Sequence, residues 1–315
     1  MSRYLVTGGA GFIGSHIVET LARKGHDVIV LDDLSTGKKE NVSFGSDLAD
    51  RVRLIEGSVS DPRAAAHAAQ GVDVVFHEAA LGSVPKSVAD PMRSHEANIT
   101  GTLTMLIAAR DAKVKRFVNA ASSSAYGDTP ELPKRETMPP NPFSPYAATK
   151  LAQEQYCRAF SVSYGMETIS LRYFNVYGAR QDPRSEYAAV IPRFFQAYLK
   201  GDSPAIYGDG EQTRDFTYVA DVVRANLLAA EIQGAKGEIV NIAGGKAISI
   251  NELASMIGAL VGGKQKPKHE AARPGDIKHS LADVRFSKEL LGWQPTTSLD
   301  AGLRLAYPWY RAHIK

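Results

Sequence analysis

The sequence predicts an α/β fold in which a doubly wound parallel sheet precedes a smaller mixed α/β domain. In the first half, short apolar runs alternate with helical patterns. The runs are continuous rather than alternately apolar and polar, which is typical of strands buried on both faces. After about residue 175 this regularity fades into loops rich in glycine, proline and aspartate. We therefore expect one domain over residues 1–175 and a second mainly over residues 176–315.

Six apolar runs in the first half mark the predicted strands, and helical patterns separate them. The runs are residues 4–6, 28–31, 52–55, 72–76, 167–174 and one that begins at Phe117. Helical patterns in the second half lie near residues 186–200, 221–231, 250–261 and 299–311. The late apolar run 239–242 has the character of a further strand, so we expect a segment near 215–245 to rejoin the first sheet.

Composition and charge limit the classes of function. The chain of 315 residues has 37 lysine and arginine and 34 aspartate and glutamate residues, a net charge of +3. This charge is too small for a nucleic-acid-binding surface, and no apolar run approaches the roughly 18 residues that a membrane span needs. Cys157 is the one cysteine, so no intramolecular disulfide can form. We expect a cytoplasmic protein without a metal site that binds neither nucleic acid nor membrane.

A glycine-rich turn between the first strand and the first helix predicts a dinucleotide site. Gly8, Gly11 and Gly14 lie in the sequence TGGAGFIG, and a helix is expected to begin near Phe12. Glycines in this context permit a tight turn and bring the backbone close to a pyrophosphate at the helix N-terminus. Asp32 ends the second strand, where an acid binds the ribose 2′-hydroxyl and repels a 2′-phosphate. This Rossmann pattern predicts NAD rather than NADP.

Tyr146 and Lys150 form a candidate acid–base pair. Ser144 suits the N-cap and Pro145 the first helical position, so both side chains share one face of a helix. A free phenol has a pKa of about 10, and a nearby ammonium or a cationic nicotinamide favours the phenolate. Such a pair is suited to remove a hydroxyl proton during hydride transfer.

Three consecutive serines end the fifth predicted strand, at the edge where a parallel sheet binds its ligands. They are Ser122, Ser123 and Ser124. A hydroxyl at this edge is suited to share a substrate proton with Tyr146. For any single serine, a polar exit from the strand is the alternative interpretation.

Four segments resemble the extended short-chain dehydrogenase/reductase family. They are the glycine turn at 8–14, SSSAYG at 122–127, SPYAATK at 144–150 and RYFNVYG at 172–178. Within this family the chain is most similar to nucleotide-sugar 4-epimerases, and closest to UDP-N-acetylglucosamine 4-epimerases, through ALGSVP at 80–85, RQDP at 180–183 and HSLAD at 279–283. The similarity covers essentially the whole chain. It implies a homodimer that packs helices over 91–111 and 145–164.

The resemblance implies a role for each matching position. Tyr146 would be the base, Lys150 its electrostatic partner and cofactor-ribose ligand, and Ser122 with Ser123 the proton-sharing hydroxyls. Asn98 would organise the active-site helix. The implied cofactor-binding residues are Gly8, Gly11, Phe12, Ile13, Gly14, Asp32, Ser58, Val59, Ala79, Tyr146, Lys150 and Tyr173. The implied substrate-binding residues are Ser83, Ser124, Asn175, Gln181, Val190, Tyr207, Arg214, Arg273, Asp276 and Ser280.

For several of the implied substrate-binding residues, the resemblance also implies which part of the substrate they bind. Asn175, Arg214 and Arg273 would hold the diphosphate, for which guanidinium donors are physically suited. Asp276 would bind the nucleoside ribose, and Tyr207 would stack on uracil. The expected partner is therefore a UDP-sugar substrate.

Three positions distinguish this chain from some relatives. Ser58 follows Gly57 where many members have an aspartate that touches adenine, and Gly82 replaces a lysine found in some epimerases. Both leave the details of the NAD contacts open. Ser280 stands where a tyrosine narrows the hexose pocket in some members, so the resemblance implies space for an N-acetyl group.

The residues before Tyr126 separate the possible reactions. Dehydratases and decarboxylases of the family carry a carboxylate in this stretch, whereas residues 122–125 read SSSA. We therefore expect an NAD-dependent 4-epimerase that interconverts UDP-N-acetylglucosamine and UDP-N-acetylgalactosamine through a transient 4-keto sugar, and UDP-glucose and UDP-galactose as well. The alternatives are a UDP-glucose or UDP-glucuronate 4-epimerase, a net oxidoreductase, and a dinucleotide sensor without catalytic activity.

Overall fold

A seven-stranded parallel sheet forms the centre of the computed structural model, which describes residues 2–183, 188–272 and 277–314. The strands in chain order are β1 (Arg3–Thr7), β2 (Asp27–Asp32), β3 (Val52–Glu56), β4 (Val74–His77), β5 (Arg116–Ser122), β6 (Glu167–Tyr173), β7 (Val176–Tyr177), β8 (Ala205–Tyr207), β9 (Thr213–Asp215), β10 (Thr217–Tyr218), β11 (Glu238–Ile242), β12 (Ala247–Ser249) and β13 (Lys268–Glu270). The sheet has the order β11-β6-β5-β4-β1-β2-β3, and each neighbouring pair is parallel. The predicted α/β class with a parallel Rossmann sheet is confirmed.

Helices connect these strands, and several of them begin after a residue whose side chain caps the helix. They are α1 (Phe12–Arg23), α2 (Pro62–Ala69), α3 (Val84–Ala89), α4 (Pro91–His95), α5 (Gly101–Asp111), α6 (Pro145–Tyr164), α7 (Val190–Lys200), α8 (Val219–Glu231), α9 (Ile250–Val261), α10 (Arg285–Leu291) and α11 (Leu299–His313). At the start of α6, Ser144 Oγ accepts a hydrogen bond from Ala147 N at 3.1 Å. Asp61 caps α2 in the same way, and Ser249 with Glu252 forms a capping box at α9.

Apolar side chains cover both faces of the sheet. Neighbouring residues of β1 point to opposite faces: Val6 packs in one core with Ile17 of α1, and Leu5 packs in another with Met105 of α5. All four side chains are essentially inaccessible to solvent. This double burial is the physical reason that the strands read as continuous apolar runs.

The second half of the chain builds a smaller unit around its own core. This core is shared by three short two-stranded sheets, β7 with β10, β8 with β13 and β9 with β12, and by α7, α9 and α11. Phe195, Ile257 and Tyr310 are central to this core. β11 also comes from this half, but it pairs with β6 in the large sheet. The domain division at residue 175 stays a prediction. No helix in the described part of the chain is both long and apolar enough to cross a bilayer.

The order of the strands locates the crevice in which a ligand can bind. β1 lies between β2 and β4, so the chain winds outward in opposite directions from this point. Loops that leave neighbouring strands here diverge to opposite faces of the sheet, which opens a crevice at their carboxyl ends. The glycine turn after β1 is therefore at the position where doubly wound sheets bind ligands.

Candidate active site

A cavity of about 1000 Å³ lies at the carboxyl ends of the central strands and is lined by residues of both halves of the chain. Every predicted site residue in the described ranges lines it. They are Gly8, Gly11, Phe12, Ile13, Gly14, Asp32, Ser58, Val59, Ala79, Ser83, Ser122, Ser123, Ser124, Tyr146, Lys150, Tyr173, Asn175, Gln181, Val190, Tyr207, Arg214 and Ser280. Arg273 and Asp276 lie outside the described residues. The individual roles of these residues stay predictions.

The glycine turn brings three parts of the backbone into close contact. Gly8 has a φ of +63°, and a Cβ on it would lie 2.7 Å from both the Cα and the N atom of Ala79. A Cβ on Gly14 would lie 2.4 Å from the Gly8 carbonyl oxygen. Because neither position has space for a side chain, the turn can lead tightly into α1, which begins with Phe12 and Ile13. The N–H groups of this first helical turn form a site suited to a pyrophosphate.

Asp32 lies beside this turn with its carboxylate fixed by two backbone donors. Its Oδ2 accepts from Ala10 N and its Oδ1 from Leu34 N, both at 2.9 Å. Burial raises the pKa of this carboxyl group, and the two hydrogen bonds oppose that rise. A carboxylate oxygen accepts more than one hydrogen bond, so both oxygens retain capacity for ribose hydroxyls. Ser58 and Val59 line the cavity just after the neighbouring strand β3. This arrangement fits the adenosine half of NAD.

Lys150 extends from α6 toward the end of β5. Its Nζ donates to the Ala120 carbonyl oxygen at 2.6 Å. Burial lowers the pKa of Lys150 to about 8, while the charges of Glu78 and Glu154 act in the opposite direction. The ammonium is therefore still the main form at neutral pH.

Tyr146 is held at its backbone, and its phenol lies near Ser122. Its N donates to Ser87 Oγ of α3 at 3.0 Å, and the Ser122 side chain acts to lower the pKa of the phenol. Burial raises the pKa of Tyr146, and only the Ser122 contact opposes the rise. Desolvation of the phenolate outweighs this contact, and the Lys150 ammonium is held at the Ala120 carbonyl. That an ammonium together with a cationic nicotinamide favours the phenolate stays a prediction for the NAD-bound site.

The three serines adopt distinct positions at the end of β5. Ser122 is the last residue of the strand, and Ser123 begins a single 3-10 turn over Ser123–Tyr126. Ser122 Oγ accepts from Ser124 N at 3.2 Å and from Ser124 Oγ at 2.9 Å. The Ser122 hydroxyl therefore connects Tyr146 with a second hydroxyl group in the same cavity.

Asn98 fastens the active-site helix to the loop after β4. It lies in a π-turn, Glu96–Thr100, that joins α4 to α5 in one continuous helical segment. Its Oδ1 accepts from Leu81 N at 2.7 Å, and its Nδ2 donates to Thr149 Oγ1 of α6 at 2.9 Å. Asn98 is fully buried, so these bonds replace its contacts with water. Such π-turns are frequent at functional sites.

The residues implied to hold the diphosphate lie around β9. Asn175 has a φ of +33°, and its Nδ2 donates to the Asp215 carbonyl oxygen at 2.8 Å. Arg214 Nη1 donates to the carbonyl oxygen of Thr213 at 2.9 Å. Ser280 N donates to that same carbonyl oxygen at 3.1 Å. These contacts bring two of the predicted diphosphate ligands, Asn175 and Arg214, and Ser280 to one end of the cavity.

The other predicted substrate residues come from separate elements. The Tyr207 ring has the Arg193 guanidinium 5.0 Å from its centre, and Arg193 Nη2 donates to the Tyr207 hydroxyl at 3.2 Å. Gln181 Nε2 donates to a backbone carbonyl at 3.0 Å. Ser83 caps α3, and Val190 begins α7. Arg193 therefore covers one face of the ring that is implied to stack on uracil.

Among the charged residues of the cavity region that were not predicted, three are notable for their burial or their contacts. Glu78 precedes the predicted Ala79, and Asp215 follows the predicted Arg214. Burial raises the pKa of each of these two carboxyl groups to about 7. The third is Arg193 on α7. A position at the carboxyl end of a predicted strand was the one available signal for Glu78, whereas Asp215 and Arg193 lie in no motif. In the described ranges, no group of three or more potential metal ligands occurs.

Comparisons with known proteins identify the family. The family model described as "NAD dependent epimerase/dehydratase family" matches residues 4–243. A putative UDP-glucose 4-epimerase of Methanocaldococcus jannaschii is 40% identical over 313 residues, which cover 98% of each chain. A UDP-N-acetylglucosamine 4-epimerase from Methanobrevibacter ruminantium M1, solved with UDP-N-acetylmuramic acid, is 41% identical with a TM-score of 0.94 over 99% of this chain and 98% of its own. A Thermus thermophilus UDP-glucose 4-epimerase, solved with NAD, is 37% identical with a TM-score of 0.90 over 99% and 100% of the two chains. The chain belongs to the NAD dependent epimerase/dehydratase family, and its cofactor is NAD.

Proposed function

We propose that the chain is a UDP-sugar 4-epimerase that interconverts UDP-N-acetylglucosamine and UDP-N-acetylgalactosamine, and more slowly UDP-glucose and UDP-galactose. The observation that carries this proposal is the contact of the buried Tyr146 phenol with Ser122, in a stretch of residues without a carboxylate. Elimination and decarboxylation need a further acid or base there, whereas epimerisation needs one group that exchanges a proton with a hydroxyl. The activities after which the relatives are named support the same reaction class.

In the proposed reaction, the side chains of the cavity have different roles. Tyr146 takes the proton of the sugar 4-hydroxyl, and Ser122, which acts to lower the pKa of the phenol, shares that proton. The Lys150 ammonium favours negative charge on this side of the cavity. Bound NAD supplies a hydride acceptor and, once reduced, a hydride donor, so no cofactor is consumed. Asn175 and Arg214 hold the diphosphate while the 4-keto sugar turns over and presents its other face.

Product analysis tests the reaction class. The purified protein is incubated with UDP-N-acetylglucosamine, UDP-glucose and UDP-glucuronate in parallel, without added reductant. We expect the 4-epimer of each accepted substrate at a rate that does not depend on added NADH. Stoichiometric formation of NADH would instead identify a net oxidoreductase, and no conversion of any substrate would support a sensor. Conversion of UDP-glucose or UDP-glucuronate alone would favour one of the two alternative epimerases.

Ser280 supports the preference for N-acetylated sugars. It lines the cavity, and its backbone N–H is fixed to Thr213, so its short side chain leaves space at this end. A pocket that accepts the larger sugar rejects the smaller one only weakly, because unfilled space costs about 1–3 kcal/mol. This is why both pairs of sugars are proposed as substrates.

The size preference is tested with Ser280→Tyr, and Ser280→Ala is the matched control. The tyrosine ring should exclude the N-acetyl group, so the variant loses activity on the N-acetylated pair and keeps it on the plain pair. The alanine variant should retain both activities because it leaves the space open. If Ser280→Tyr keeps both activities unchanged, Ser280 is not the residue that selects the sugar.

The expected homodimer has a suitable surface on the two implied helical segments. Met92 is 73% exposed and Ile107 39% on the α4–α5 segment, and Val162 is 78% and Tyr164 54% exposed on α6. Exposed apolar side chains on adjacent helices are typical of an interface. We propose that two copies pack these helices together, and sedimentation that shows only monomer at micromolar concentration would contradict it. The single cysteine supports the proposed cytoplasmic location.

A further inference from the structure

Glu78 is a charged residue of the cavity that the proposed reaction does not use. It directly follows β4, and its backbone N–H donates to the Thr7 carbonyl oxygen at 3.2 Å. Its side chain lines the cavity together with Tyr173 and Lys150. Its position at the carboxyl end of a central strand places it on the cofactor side of the sheet.

The hydrogen bonds around Glu78 favour its anionic form. The Tyr173 hydroxyl donates to Glu78 Oε1 at 2.8 Å. Asn226 Nδ2, which also donates to the Val222 carbonyl oxygen at 2.9 Å, donates to the same hydroxyl at 2.8 Å. The alternative acceptor for Tyr173, Asn226 Oδ1, is farther away at 3.1 Å. Because a phenol has one proton, this arrangement directs that proton to the Glu78 carboxylate.

Lys150 is the charge that faces Glu78 from α6, and each group favours the charged form of the other. Burial raises the pKa of Glu78 to about 7, against the effects of Tyr173 and Lys150. The adjacent His77 on β4 stays neutral at such pH values, because burial lowers its pKa to about 3. Glu78 therefore changes its charge near neutral pH, beside a lysine that is still protonated there.

We propose that the Glu78 carboxylate makes the cavity select the oxidised, cationic nicotinamide over the reduced, neutral one. An uncompensated Lys150 ammonium repels a cationic ring, and Glu78 cancels this repulsion. The inference depends on the proposed function in one respect. If Tyr146 removes a proton during hydride transfer, the nicotinamide ring must lie near Tyr146, which is one helical turn from Lys150. Even about 10 Å from a cation, a carboxylate in a partly polar environment changes the affinity by about tenfold or more.

The same carboxylate makes NAD binding depend on pH. A nearby cation lowers the pKa of Glu78, so NAD binds more tightly as the pH rises from about 5.5 to about 7.5 and Glu78 loses its proton. NADH has no charge on its ring, and its affinity should stay constant over this range. The difference between the two cofactor forms thus reports on Glu78 and not on the shared pyrophosphate and adenosine.

The test measures the dissociation constants of NAD and NADH by titration of nucleotide-free protein across this pH range. In Glu78→Gln, the preference for NAD over NADH should fall about tenfold. Glu78→Asp should recover part of this preference. Glu56→Gln, which removes an exposed carboxylate at the end of β3, should behave as the unmodified protein. Equal weakening of both cofactor forms, or a preference unchanged within about twofold, would overturn the proposal.

A second variant keeps the proposal testable if Glu78→Gln does not fold. Tyr173→Phe retains the carboxylate but removes a hydrogen bond that lowers its pKa. The pH at which NAD affinity levels off should therefore rise, and an unchanged pH profile would contradict the proposal. No sugar is present in these measurements. A failure of the epimerase assay and a failure of the cofactor preference are consequently separate results.

Discussion

The buried ion pair between Glu154 and Arg172 gives the sharpest stability prediction for this fold. Arg172 of β6 donates from Nε to Glu154 Oε1 at 2.8 Å and from Nη2 to Oε2 at 2.7 Å. The two side chains are 2% and 0% exposed. The guanidinium also lies 4.5 Å from the centre of the Tyr126 ring. This pair fixes α6, the helix of Tyr146 and Lys150, to the central sheet.

Glu154→Gln keeps the shape of the side chain but leaves the Arg172 charge buried without a counter-charge. Loss of one partner of a buried pair costs about 3–5 kcal/mol, because the remaining charge keeps its desolvation penalty. The free energy of unfolding of a whole domain is only about 5–15 kcal/mol. We therefore expect the variant to lose a large fraction of its stability.

Urea denaturation followed by circular dichroism measures this loss from the shift of the midpoint. Asp300→Asn is the matched control, since Asp300 pairs with Arg304 on an exposed face of α11, where solvent screens the interaction. Its midpoint should not move measurably. The combined replacement Glu154→Leu with Arg172→Met removes both charges and should recover most of the stability. A loss below about 1 kcal/mol in Glu154→Gln would refute the reasoning. It would show that the buried Arg172 charge does not depend on Glu154 for its stabilisation.

Three further variants test the assignments in the cavity. Tyr146→Phe removes the proton acceptor but keeps the ring, so turnover should fall at least roughly a hundredfold. Substrate affinity, measured by titration, should change little. Near-normal turnover would exclude Tyr146 as the base. Asp32→Ala should weaken NAD binding and reduce the discrimination against NADP, and an unmodified protein that binds NADP as tightly as NAD would contradict the role of Asp32. Gly8→Ala combines a left-handed conformation, which costs a residue with a Cβ about 1–2 kcal/mol, with a 2.7 Å approach to the backbone of Ala79. Its affinity for NAD should fall at least about tenfold in calorimetric titration, and an unchanged affinity would show that the turn can adapt.

Much of the large sheet could be predicted from local sequence, because burial on both faces leaves a direct signal. Val6 and Leu5 are both apolar since each enters a different core. The positions of the glycine turn and of the helix after Ser144 were predictable for a similar reason. There, a single residue type satisfies a local steric or hydrogen-bonding requirement.

Features that depend on distant contacts were not predictable in the same way. The small sheets consist of strands of two or three residues, which are too short to show a periodicity of their own. In addition, β8 pairs with β13, which lies far away in the sequence. The burial that raises the pKa of Tyr146 was not predictable, because the spacing to Lys150 is visible in the sequence, whereas burial and the Ala120 contact are not. Glu78 was missed because its partner Tyr173 lies on another strand.

The late arrival of β11 in the large sheet has a consequence for how the protein is made. On the ribosome, β1 to β6 emerge long before Glu238–Ile242, and until then the outer edge of β6 has unpaired N–H and C=O groups. An open, apolar strand edge is a template for pairing with other chains. A fragment that stops at residue 175 should therefore aggregate rather than yield an isolated nucleotide-binding unit. Synthesis must pass residue 242 before β6 is paired on both sides.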